Sequence, residues 1–178
     1  PHLAMGFLTD RRKRVGVTKA PTENELEAIR EGSLTLLYRL LFLLYAESRD
    51  LLPVRESPYG EKSLRKLQKE IAEAAGPAEG EVDDKLGRAY RDDRTELYDR
   101  LADLCTAMDR GDPALNVPTY NGGLFLVSPD DADDSREARI ARFLAGHKVP
   151  DRYLAQAVDH LGRDPDEKTF EMVFIDYK

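Results

Sequence analysis

The densest apolar pattern in the chain runs from Leu36 to Ala46, where only Arg39 interrupts a series of apolar and aromatic residues. A helix that is apolar on every side belongs at the centre of a core or in a bilayer. A bilayer span takes ~20 apolar residues, and Glu47, Arg49 and Asp50 close the run well before that. The pattern therefore predicts a central core helix, with Leu41 in its middle. Upstream, Leu26, Ile29, Ser33, Leu37, Leu40 and Leu44 recur at helical spacing. Thr22 followed by Glu25 has the form of a capping box, with Pro21 just ahead of it. One long helix is predicted over about 22–49, with Gly32 and Ser33 marking a bend or a close helix contact.

The remaining pattern is helical in shorter pieces. A second helix is predicted from Ser63, burying Leu64, Leu67 and Ile71 and stopping at Gly76-Pro77. A polar loop follows over Gly76 to Asp84. A third helix runs from about Arg94 to Asp109 on Leu97, Leu101, Leu104 and Met108, with Leu86 and Tyr90 either extending it or forming their own turn. Asn121-Gly122-Gly123 is a turn signal between Val117/Tyr120 and Leu124–Val127, with room for a short β-hairpin or an ordered loop. Two short helices close the pattern, 135–145 and 151–161, each ending at a glycine. The fold class expected is mostly α, an irregular multi-helix domain around one central buried helix.

Composition narrows the setting. Of 178 residues, 41% are hydrophobic and 34% charged, which suits a folded globular domain. The single cysteine, Cys105, excludes an internal disulfide, fits a reducing cytoplasm and falls among core positions. Neither a signal peptide nor a membrane-spanning stretch is visible. Pro1 at one end and the strand-like FEMVFIDYK at the other lead us to expect an excised piece of a longer protein.

The net charge of −7 argues against a nucleic-acid binder over the whole surface. Yet Arg11, Arg12, Lys13, Arg14 and Lys19 gather within one stretch that holds no acid. Residues 1–21 are read as a basic arm or linker and 22–178 as the helical domain. Arg11, Arg12, Lys13 and Arg14 are either a solvated arm or a contact to the DNA backbone.

Other candidate chemistry is thin. Pro165-Asp166 with Asp176-Tyr177-Lys178 matches a metal-nuclease pattern, in which carboxylates hold a divalent ion and a lysine helps activate water. However, the first half falls in a charged turn. Asp130, Asp131, Asp133 and Asp134 lack the glycine and distal glutamate of a calcium loop. His2, His147 and His160 are scattered, without ligand spacing. Arg39 needs a partner in the core, and Glu47 is the nearest acid named for it. These residues show neither a catalytic nor a metal site.

Three segments carry a resemblance: LLYRLLFLLYAESRDLLP (36–53), PTYNGGLF (118–125), and FLAGHKVPDRYLAQAVDHL (143–161) leading into FIDYK (174–178). In this order they resemble the helical region ahead of the methyltransferase core in type IIG restriction–modification enzymes. They are also similar to the adenine-specific DNA methyltransferases of the BREX and DISARM phage-defence systems. The resemblance implies a cytoplasmic parent protein that uses S-adenosylmethionine to methylate adenine N6 in DNA, in some members with a fused nuclease. It implies partners in DNA and an adjoining methyltransferase domain. The glycine-rich cofactor loop and the Asn-Pro-Pro-Tyr motif of that family are not in this chain, so no catalytic or cofactor residue carries over. The alternative is a helical protein–protein interaction module with no tie to DNA modification.

Overall fold

Thr22 starts the longest helix. Its side chain accepts from the Glu25 backbone N–H while the Glu25 carboxylate accepts from the Thr22 N–H, completing the capping box. In the computed structural model, which describes residues 1–76, 81–120 and 122–163, eight α-helices follow one another. They are α1 (His2–Val15), α2 (Glu23–Ser48), α3 (Ser57–Gly60), α4 (Leu64–Ala75), α5 (Val82–Ala89), α6 (Glu96–Arg110), α7 (Arg136–Gly146) and α8 (Asp151–Gly162). A 3₁₀ turn at Pro113–Leu115 links α6 to the loop before α7.

Two helices organise the packing. α2 meets α1, α4 and α7, while α8 meets α1, α4, α5 and α6, so α1 and α4 bridge the two hubs. Phe7, Leu40, Leu43, Ile71, Leu86, Met108 and Leu154 are fully enclosed where these elements converge. Burial of each such side chain contributes roughly 1.5–3 kcal/mol. α8 is the more enclosed hub, with every residue from Leu154 to Asp159 buried. α2 buries Leu36, Leu40, Leu43, Leu44 and Ala46, but Leu41 is only half-buried and Leu34, Tyr38 and Tyr45 are exposed. The expectation that Leu41 lies in the core is thereby corrected. The run is apolar all round in sequence, yet one of its faces is left uncovered in the fold.

At Gly32, α2 passes so close to α7 that a Cβ there would collide with the Phe143 ring. The close contact expected at Gly32 is therefore present.

Distant carboxylates finish two helix N-termini, where unpaired backbone N–H groups need acceptors. Glu47 of α2 accepts from Leu64 N and Arg65 N at the start of α4, at 2.8 Å each, and from the Tyr59 hydroxyl at 2.8 Å. Asp151 of α8 accepts from Leu97 N at the start of α6, also at 2.8 Å.

Residues 2–15 depart from the arm read in the sequence. They form α1, which buries Leu3, Gly6 and Phe7 against α2 and α8. Among the described residues, 122–125 form a bend and turn without strands, and the one β-bridge pairs Asp112 with Val117. Asn121, residues 77–80 of the polar loop and the FEMVFIDYK segment lie outside the described residues.

Candidate functional site

Arg39 shows how the chain fastens its loops to α2. Its guanidinium is buried, and it donates to the carbonyls of Leu124 at 2.7 Å and Leu126 at 2.9 Å. It also lies 5.9 Å from the centre of the Phe125 ring. The partner is thus a loop backbone, and Glu47 is committed elsewhere. Phe42 packs edge-on against Tyr120 and Phe125, and the Tyr120 hydroxyl donates to the Leu51 carbonyl. Tyr120 and residues 124–126 are in this way laid along α2 by one cation and three rings.

A cleft of about 350 Å³ opens beside this seat, lined among others by Arg39, Tyr98, Cys105 and Val127. Cys105 is buried, and that burial pushes its thiol up to about 11. A thiol held protonated in this way is a poor nucleophile and a poor metal ligand.

The uncovered face of α2 exposes several large apolar side chains. Leu34, Tyr38, Leu41 and Tyr45 follow at spacings of one turn and so form a single stripe. Tyr38 is 57% exposed, and Leu51, just beyond the helix, is 60% exposed. A contiguous apolar stripe bordered by polar residues marks a contact surface more often than an accident of composition.

The basic cluster is divided by the fold. Arg11 is buried; its guanidinium bonds both oxygens of Glu25, at 3.0 and 2.9 Å, and the carbonyls of Lys19 and Ala20. That bonding, led by the Arg11 hydrogen bonds, holds the Glu25 carboxyl at about 2. A phosphate contact by Arg11 would cost all four bonds, so Arg11 is reassigned as the residue that ties α1 to α2. Arg12, Lys13 and Arg14 face outward from the last turn of α1. Arg14 is paired with Asp10 at 2.9 Å, and Lys13 donates to the Asp92 carbonyl.

The structure also joins residues that the sequence leaves apart. His2 and His160 come together with Asp83, from α1, α8 and α5 respectively. Nothing in local spacing signals this cluster, because its members are separated by some eighty residues each. His147 instead stacks on Phe143. Asp130, Asp131, Asp133 and Asp134 stay in an exposed or half-exposed loop held to Arg142 through backbone carbonyls. Asp166, Asp176 and Lys178 lie outside the described residues. Among the described residues, no helix is long and apolar enough to cross a membrane. Comparisons with protein-family models, curated proteins and solved structures find no match to the chain.

Proposed function

We propose that this chain is a non-catalytic helical domain of an S-adenosylmethionine-dependent adenine-N6 DNA methyltransferase of a restriction–modification or phage-defence system. Its task is to position the neighbouring methyltransferase domain, with Arg12, Lys13 and Arg14 touching the DNA backbone. The ordered resemblance of three segments brings the family to the reading. The observation that carries the scaffold role is the apolar stripe of Leu34, Tyr38, Leu41 and Tyr45, left open on the longest helix. Cofactor binding and chemistry fall to the rest of the parent protein. This chain has neither the glycine loop nor the Asn-Pro-Pro-Tyr motif of that family. The same stripe also suits an interaction module unrelated to DNA.

The two readings separate in one experiment. The intact protein is expressed in a host lacking adenine methylation, and N6-methyladenine in the host DNA is measured by nucleoside mass spectrometry. Our reading expects methylation above the empty-vector level. It further expects a fall on Leu34→Asp/Tyr38→Asp with the helical circular dichroism retained. Methylation at the empty-vector level with soluble wild-type protein overturns the reading in favour of the interaction module.

A further inference from the structure

We propose that His2, Asp83 and His160 form a binding site for a divalent transition metal, with Zn²⁺ the ion that suits this donor set. Each ligand stands at the end of a helix: His2 opens α1, Asp83 is in the first turn of α5 and His160 is in the last turn of α8. The inference does not depend on the methyltransferase reading.

The distances are those of a site one small adjustment from closure. Zinc takes imidazole nitrogen and carboxylate oxygen at ~2.0–2.2 Å in a tetrahedron, which sets neighbouring ligand atoms roughly 3.3 Å apart. His2 Nε2 lies 3.6 Å from Asp83 Oδ2, and His160 Nε2 lies 3.1 Å from Asp83 Oδ1. One ligand atom from each of the three residues falls within 4.8 Å of the other two. The two imidazoles lie side by side, centroids 4.9 Å apart and planes at 20°, and both turn Nε2 toward the same carboxylate. His160, more than half exposed, has the freedom to close the third edge.

Donor chemistry selects the ion. Two imidazoles and a carboxylate suit zinc or a neighbouring first-row ion, whereas calcium and magnesium prefer all-oxygen sets. A buried side chain braces the backbone of the residue that supplies the carboxylate. Gln156, itself buried in α8, donates to the Asp83 carbonyl at 3.0 Å. On the open side lies a cleft of about 530 Å³ lined by Glu81, Val82, Asp83, Asp159, His160 and Arg163. Arg163 is bonded to Asp159, which leaves the remaining coordination position to water. A metal here would pin the first turn of α1 to α5 and α8.

The test is calorimetric titration of the 178-residue chain with ZnCl₂ alone, at near-neutral pH and with any polyhistidine tag removed. Saturable one-to-one binding and a raised Tm are expected. Asp83→Asn, His160→Gln and His2→Gln should each weaken binding at least tenfold, with Tm in EDTA matching wild type. Co²⁺ added to the wild-type chain should give the intense visible bands of a four-coordinate site, a reading that needs no variant. Absence of heat and of any Tm change at millimolar Zn²⁺ overturns the proposal. So does equal affinity in the His2→Gln/His160→Gln double variant, which would place the ion elsewhere.

Discussion

Glu47 concentrates the residue-level argument, because one carboxylate serves three donors in a place that water hardly reaches. Burial, the largest influence, raises its pKa above the ordinary glutamate value of 4.5, and the hydrogen bonds from Arg65, Leu64 and Tyr59 only partly oppose it. The folded chain therefore holds this proton to higher pH than the unfolded chain does. Stability contributed by the protonated form is complete below about 4.5 and is lost as pH rises through the raised value. Wild type should lose stability relative to Glu47→Gln across that interval and run parallel to it above, as read by urea melts at several pH values. Glu47→Ala would orphan three donors, two of them buried, and should cost roughly 3 kcal/mol or more; Tyr59→Phe should cost about 2 kcal/mol. A Glu47→Ala change that leaves the urea midpoint unmoved would contradict the capping role.

Helices repeat this dependence on remote partners, and α2 and α7 show it most sharply. The Phe143 ring cannot move aside for a Cβ at position 32, since Phe7 abuts it edge-on at 5.1 Å and His147 stacks on it at 4.3 Å. Gly32→Ala normally gains up to ~1 kcal/mol in a helix interior. Here overpacking should outweigh that gain and leave a net loss of about 1–2 kcal/mol. Phe143→Leu in the same chain should restore part of it, a coupling that a double-mutant cycle of thermal melts would show. Along α2, Leu40→Asp should unfold the domain, because a fully buried carboxylate costs several kcal/mol of a total near ~5–15. Leu41→Asp, on the open stripe, should cost about 1 kcal/mol, and Asp131→Ala, in an exposed loop, should be nearly silent. Equal Tm shifts for Leu40→Asp and Leu41→Asp would mean that the core has been misplaced.

Helix boundaries were legible because caps and glycines write them locally: Thr22 with Glu25, Ser63, Ser135, and Gly76 and Gly111. α1 was not legible. Its N-cap is Pro1 with no side-chain cap, its last turn is basic, and its anchors are Phe7 against Phe143 and Arg11 against Glu25. Tertiary contacts make that helix, and local pattern does not record them.

At the scale of the whole molecule, the apolar run of α2 announced a core element but could not say which of its faces would be covered. That is decided by α1, α4, α7 and the 124–126 loop, whose approach to α2 leaves Leu34, Tyr38 and Tyr45 outside. The loop's anchor, Arg39, lies 85 residues away from Leu124 in sequence. The His2, Asp83 and His160 cluster likewise exists only once three helix ends have met. Composition alone pointed to the basic cluster, and its inner member proved to be a buried tie.

If the open stripe of α2 seats the neighbouring domain of a longer protein, as proposed, thiol labelling reveals it directly. Native Cys105 gives little background, being buried with its thiol pushed up to about 11. Tyr38→Cys and the exposed-loop control Ala132→Cys are labelled with a maleimide in the intact protein and in the 178-residue chain, and each site is followed by peptide mass spectrometry. In the chain alone both should react at similar rates. In the intact protein Tyr38→Cys should react at least roughly tenfold more slowly, as at a surface reached only when an interface opens. Equal rates at the two sites in the intact protein would show that nothing seats on α2 and would contradict the account.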